Sequence, residues 1–249
     1  MKAWTIASVI MLFVCTAAPC AAQQEARQFI AALEAYKSGD YPAAAAGLEA
    51  IAQSGVRNGA LYYNLGNAHL KNGDLGRAIL WYERSAKLIP GDPDLMFNLE
   101  YARSLAKDAA DEDALPLVRI FFFWNYQLSS RTIVVLAIGG NLLFWSLAAA
   151  RRFSGRRMLR RAAIVVLIPS VVFVMTAGFN FYAAAASRQG IILPERVPIR
   201  SGWEQTSTEL FVLHAGAKVQ VVKSATGHLL IRFSKDKIGW VQRNNLGLI

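Results

Sequence analysis

Cysteine is nearly absent. The chain has two, Cys15 and Cys20, both within the first twenty residues. If that segment is a cleaved leader, the mature chain carries no thiol, which excludes disulfides, a cysteine nucleophile and zinc–thiolate chemistry. Histidine is scarce as well, with three residues, His69, His214 and His228. None stands in an H-E-x-x-H pattern, and neither G-x-S-x-G nor the phosphate-cradling G-x-x-x-x-G-K occurs. No pair of carboxylates is framed by apolar sequence in the way tuned acid–base chemistry requires. The residues therefore argue against an enzyme, and no cofactor or metal is expected.

Uniform charge is also lacking. The net charge of +10 is distributed in blocks. Residues 23–115 carry nine Lys and Arg against thirteen Asp and Glu, residues 151–161 carry six Arg and no acid, and residues 187–249 carry nine basic against four acidic groups. A nucleic-acid binder spreads its basic residues over one face, so this pattern speaks against a nucleic-acid partner.

Two long stretches have no charge at all. Residues 132–150 read TIVVLAIGGNLLFWSLAAA and residues 162–186 read AAIVVLIPSVVFVMTAGFNFYAAAA. Each is long enough, at 1.5 Å per residue, to cross a hydrocarbon layer of ~30 Å as a helix. Between them lies RRFSGRRMLRR, and short arginine-rich loops stay in the cytoplasm. Arg151, Arg152, Arg156, Arg157, Arg160 and Arg161 are thus the topology-setting residues of an antiparallel hairpin with both flanks outside. The start of the chain agrees. Lys2, an apolar run from Ile6 to Val14 and the small residues AAPCAAQ form a secretory leader expected to end near Ala22. Pro19, with Ala17 and Ala18 before it, makes Cys20 a poor lipid-attachment site. The spans hold no Asp, Glu, Lys, Arg or His, which argues against an ion or proton pathway. Asn141 has two readings, a hydrogen bond to the other helix or a seam between copies. Just before the first span, Phe121, Phe122, Phe123, Trp124 and Tyr126 read as an aromatic interfacial belt or as a docking surface.

The region after the leader repeats every 34 residues, the tetratricopeptide period. Gly39-Asp40 falls on Gly73-Asp74, Ala44 on Ala78, Leu48 on Tyr82, and Asn64 on Asn98. Gly66 and Ala78 allow close helix approach, Gly73-Asp74 makes the turn, and Pro90 stops the second helix. Residues 25–56 form a degenerate first repeat, with Ala31-Ala32 in place of Leu-Gly. DLMFNLEYARSLAKD after Pro93 reads as a lone capping helix. Such arrays hold extended peptides on the face lined by their first helices. Family spacing then implies Tyr63, Asn64, Asn67, Leu70, Lys71, Asn98 and Tyr101 as groove positions. Asn64 and Asn98 either grip a ligand or only bond across helices. The acidic run at Asp108, Asp111, Glu112 and Asp113 matches no calcium-loop spacing and reads as a solvated linker.

After Ser187 the pattern alternates with period two and suggests five or so short strands, with turns at Ala215-Gly216, Ala225-Thr226-Gly227 and Ser234–Lys237. VPIRSG (Val197 to Gly202), AGAKVQVV and GWVQRNNL (Gly239 to Leu246) resemble a bacterial SH3-like domain. That resemblance implies a small barrel that binds peptide or peptidoglycan, with Trp203, Phe211, His214 and Trp240 as candidates for an aromatic groove. Trp240 also suits a core position.

The expected order is leader 1–22, tetratricopeptide array 23–107, acidic and aromatic segment 108–131, span 132–150, arginine loop 151–161, span 162–186 and SH3-like tail 187–249. This multidomain order, and above all YYNLGNAHLKNGDLGRAILWYERSAKLIPGDPDLMFNLEYAR from Tyr62 to Arg103, resembles BatE-type proteins of the bacterial aerotolerance operon. The resemblance implies an inner-membrane scaffold with both soluble modules in the periplasm, beside membrane-anchored von Willebrand A-type proteins and a MoxR-type ATPase. A wall-binding sensor with a peptidoglycan-recognising tail is the alternative.

Overall fold

The computed structural model describes residues 23–108, 122–186, 188–204 and 206–249. The expected leader and the segment 109–121, which holds most of the acidic linker and Phe121, lie outside the described residues.

Five helices build the first module: α1 (residues 23–37), α2 (Tyr41–Gln53), α3 (Gly59–Lys71), α4 (Leu75–Ala86) and α5 (Pro93–Ser104). The recurring Gly-Asp pair explains the two tight turns. Gly39 and Gly73 take φ of 87° and 80°, a left-handed conformation that a side chain resists. The following Asp40 and Asp74 cap α2 and α4, accepting from the amides of Ala43 and Arg77. Asn58 and Asp92 cap α3 and α5 in the same way, and Pro93 starts α5 with its φ already set.

Close approach follows from small residues. Gly66 on α3 lies against the ring of Tyr82, so a methyl at this position would collide with it. Leu48, Leu65 and Tyr82 are fully buried. Ala32, Leu48, Ile51, Leu61 and Leu65 form the core of the first pair and its neighbour. A second cluster, from Ala78, Ile79 and Tyr82 to Leu95, Leu99 and Ala102, binds α4 to α5.

A short helix, α6 (Phe123–Gln127), leads into a hairpin of α7 (Ser130–Ser154) and α8 (Arg157–Ala186). Both α7 and α8 are long and apolar enough to cross a membrane, with mean hydropathies of 2.0 and 2.4. The helices extend further than the charge-free runs. Arg151 and Arg152 form the last turn of α7, Arg157, Arg160 and Arg161 begin α8, and the turn narrows to Gly155 and Arg156. Arginine is a good helix former, and Gly155 ends α7 with φ 60°, so two residues suffice. Gly140 lets α8 approach at Ser170, where an added methyl would sit 3.2 Å from its Cβ. α8 runs unbroken through Pro169. Asn141 is exposed and makes no side-chain hydrogen bond among the described residues. The polar contacts lie nearer the end away from the Gly155 turn. Asn180 donates to Asn125 Oδ1 at 2.7 Å, and Trp124 Nε1 lies 3.4 Å from Thr176 Oγ1.

The tail is one antiparallel sheet of seven strands in the order β3-β2-β6-β5-β4-β1-β7. The strands are β1 (Arg188–Ile192), β2 (Arg196–Arg200), β3 (Glu209–His214), β4 (Lys218–Ala225), β5 (His228–Arg232), β6 (Ile238–Gln242) and β7 (Leu246–Leu248). Two more strands form than the alternation suggests. β1 follows α8 directly and ends in three buried residues, and β7 has only three residues, so neither shows a readable period. Leu213 on the edge strand β3 and Leu246 on the edge strand β7 share one apolar cluster with Val197, Ile199, Ile231 and Val241. The sheet therefore curls around its core.

Gly66→Ala should lower stability by about 1–3 kcal/mol, because α3 must move off Tyr82 to admit the methyl. Denaturant unfolding of the detergent-purified chain checks this, and an unchanged midpoint would show that the α3–α4 contact has room to spare.

Candidate partner-binding surface

The groove residues expected on α3 and α5 separate into two groups. Asn67, Tyr63 and Asn98 come together with Tyr82, which the repeat spacing marks only as the counterpart of Leu48. The Tyr82 hydroxyl donates to Asn67 Oδ1 at 2.6 Å, while Asn98 Nδ2 donates to the same oxygen at 3.1 Å and to the Tyr63 hydroxyl at 3.0 Å. This network ties α3, α4 and α5 at one level. Burial, with Tyr63 beside it, holds the Tyr82 hydroxyl above its ordinary pKa, so it stays protonated and donates. Asn64 instead donates to the Ala60 carbonyl of its own helix at 2.8 Å. Leu70 packs on the α4–α5 cluster, Lys71 is exposed, and Tyr101 is exposed.

The α5 surface carries more than the spacing indicated. Met96, Phe97, Tyr101 and Leu105 are all exposed, Phe97 to 71%. In the preceding pairs a second helix follows and packs on the first. α5 has no such follower among the described residues. Its apolar residues surround the helix, with Leu95, Leu99 and Ala102 turned inward and the others outward. That all-round distribution was the available signal in the sequence.

On the far side of α4 the tail docks. Glu83, with its side chain 9% exposed, accepts from Arg103 Nη2 at 2.6 Å and from Lys218 Nζ at 3.1 Å. Burial pushes this carboxyl up, but Lys218 and Arg103 together outweigh burial and hold it below the ordinary carboxylate value. Arg84 donates twice to the Leu248 carbonyl, at 2.7 and 3.1 Å, and its guanidinium lies 4.6 Å over the Trp81 ring. Ile191 completes the apolar cluster of α4 and α5. Gly76 and Gly247 make room, because a methyl at either would strike Leu193 or Leu80.

The four aromatic and histidine candidates of the tail do not share one surface. Trp203 and Trp240 meet edge to face with centroids 5.3 Å apart, Trp203 being 57% exposed. Trp240 pairs with Arg200 across β2 and β6, on the outward side. Phe211 pairs with Ile199 and packs on the core. His214 lies at the other end of β3, where Asp108 accepts from its backbone amide at 2.6 Å and meets Nδ1 at 3.1 Å. It lines a cleft of about 650 Å³ between the α3–α4 turn and the sheet, with Asp74, Arg77, Lys107 and Glu195. His69 is buried on α3 with Nε2 3.0 Å from Glu49 Oε1 on α2. Burial lowers its pKa against the pull of Glu49 and Asp74, so the neutral ring donates from Nε2. Among the described residues no cluster of three His, Cys, Asp or Glu is placed to hold a metal ion.

Residues 31–93 match the tetratricopeptide repeat family. No curated protein matches the chain. The matched span runs from within α1 to the first residue of α5, the helices whose caps and turns recur. Repeats of this family are typically non-catalytic scaffolds, so the match points to a role in protein–protein interaction.

Glu83→Ala should cost about 1–3 kcal/mol, because it removes the shared acceptor of Arg103 and Lys218, whose heads are partly open to solvent. Tryptophan fluorescence during denaturation reports it, and a cost below ~1 kcal/mol would mean that solvent screens the seam. The sign of the pH response follows from the lowered pKa. Stabilisation by these ion pairs is complete above the unfolded carboxylate value of about 4.3 and is lost as pH falls through the lower folded value. The seam should therefore hold at pH 5 and loosen only in stronger acid.

Proposed function

We propose that the chain is a membrane-anchored scaffold of a bacterial envelope complex, whose repeats capture a segment of a partner protein. One observation carries this reading: the repeat-matched helices are followed by α5, which together with its C-cap Leu105 exposes Met96, Phe97 and Tyr101, where a further helix would ordinarily pack. An incoming amphipathic segment would bury that row and read the polar level of Asn67 and Asn98 beside it.

Anchoring rests on α7 and α8 as a two-pass hairpin. The contact between α4 and the tail supports a common location for both soluble modules, because two segments that touch lie on one side of a bilayer. The arginine turn then faces the cytoplasm and the modules face the periplasm. α6 and its N-cap, with Phe122, Phe123 and Tyr126 exposed, suit the headgroup layer. The likeness to BatE-type proteins suggests von Willebrand A-type membrane proteins as partners, and the curled sheet fits an SH3-like tail.

A second reading has its own observation. The exposed Trp203, set edge to face on the half-buried Trp240 beside Arg200, is a surface on which a glycan or peptide stacks, as a peptidoglycan-recognising sensor requires.

Phe97→Ser with Tyr101→Ser should reduce recovery of cross-linked partners from intact cells by about tenfold while leaving the unfolding free energy within ~0.5 kcal/mol of wild type. Unchanged recovery would remove the repeats as the capture surface. Trp203→Ala in the full chain should not alter this recovery. If it abolishes retention on purified peptidoglycan instead, the sensor reading takes precedence.

A further inference from the structure

The turn between α7 and α8 gathers Arg151, Arg152, Arg156, Arg157, Arg160 and Arg161, all exposed. None of them has an ion pair or side-chain hydrogen bond among the described residues. The neighbouring sequence supplies no counter-ion either, since no Asp or Glu occurs between Asp113 and Glu195. Six like charges at one end of a hairpin repel one another unless anions from outside sit among them.

Two further features define those anions. Every basic position in the stretch is arginine and none is lysine. Orientation in a membrane needs only positive charge, which lysine supplies equally well. The guanidinium fork adds paired hydrogen bonds to two phosphate oxygens at once. Beside the arginines, Phe153 and Met158 are 91% and 81% exposed. They flank the Gly155 turn symmetrically, three residues from the end of the first span and four before the start of the second. Side chains of this size are stable beside guanidiniums where headgroups meet acyl chains, a boundary that offers phosphate and hydrocarbon together. An acidic protein surface would satisfy the charges and leave Phe153 and Met158 in water.

We propose that this turn is a binding site for anionic phospholipid. The arginines hold headgroup phosphodiesters and Phe153 and Met158 enter the adjoining acyl layer. The inference rests on the reading that α7 and α8 cross a bilayer, and it adds a ligand to a turn that topology alone leaves unspecific.

The full chain, purified in neutral detergent, is titrated with dioleoylphosphatidylglycerol or dioleoylphosphatidylcholine and observed by native mass spectrometry. Phosphatidylglycerol should be retained at least ~tenfold more strongly. Replacing all six arginines by glutamine should bring the ratio to about one, and replacing them by lysine should give an intermediate ratio. Phe153→Ser with Met158→Ser should weaken retention about threefold or more, through the lost apolar contact. Millimolar inorganic phosphate should leave the bound lipid in place. Circular dichroism of each variant verifies that the helices and sheet are intact. Equal retention of the two lipids, a ratio unchanged in the glutamine variant, or displacement by inorganic phosphate would each overturn the proposal. Carbonate extraction of the full chain from membranes separates the two readings. Release into solution removes the spans and the lipid site together, whereas resistance with equal lipid retention removes the lipid site alone.

Discussion

Helix α4 is covered on three faces, and only Arg77 on it is exposed. α3 covers one face through Gly66 and Tyr82, α5 a second through Leu95 and Leu99, and the tail a third through Ile191, Lys218 and the Leu248 carbonyl. A helix buried this fully must neutralise its polar residues internally, and Glu83 is the test. Its carboxylate has lost most of its water, and what replaces the water comes from two directions: Arg103 of the same module and Lys218 of the tail. Each cation alone would leave the charge under-compensated at a low-dielectric seam. The repeat array and the sheet, joined here by residues 135 positions apart in sequence, are therefore conditions of each other's stability. α4 is where the conditions meet.

This dependence explains what the sequence discloses and what it hides. The array was legible because its determinants are local and repeated: a glycine with positive φ, an aspartate cap on the next residue, and an apolar face thereafter. The hairpin was legible because an uncharged run of that length has few other uses. The curled sheet was legible as alternation in its middle strands and not at β1 or β7, which are buried from several sides or too short to alternate. The arginine segment read as a loop because charge suggests solvent, yet arginine favours helix and a single glycine turns the chain.

The candidate sites were legible less evenly. Tyr63, Asn67 and Asn98 follow from repeat spacing, and they do meet. Asn64 occupies the corresponding position one repeat earlier and bonds to its own helix, because no Tyr–Asn partner faces it. Trp203, in the loop after β2, and Trp240 on β6 converge, but Phe211 and His214 lie on β3, Phe211 facing the core and His214 at the far end of that strand, since parity along a strand decides the face. The seam left no trace in the sequence. Lysine, arginine and glutamate are ordinary surface residues until the fold brings them together, and no spacing rule links residue 83 to residue 218.

The tail returns to the array after the chain has made its excursion through α7 and α8, and this closes a mechanical circuit. A pull on α5 reaches the hairpin by two routes: directly, through the Gly91 turn that abuts Gln127, and indirectly, through α4, the sheet edge and β1 into α8. Load applied at one module is shared by both helices instead of tilting one against the other. A protein tethered in this way is built like a brace, with the ionic seam at Glu83 as one of its rungs.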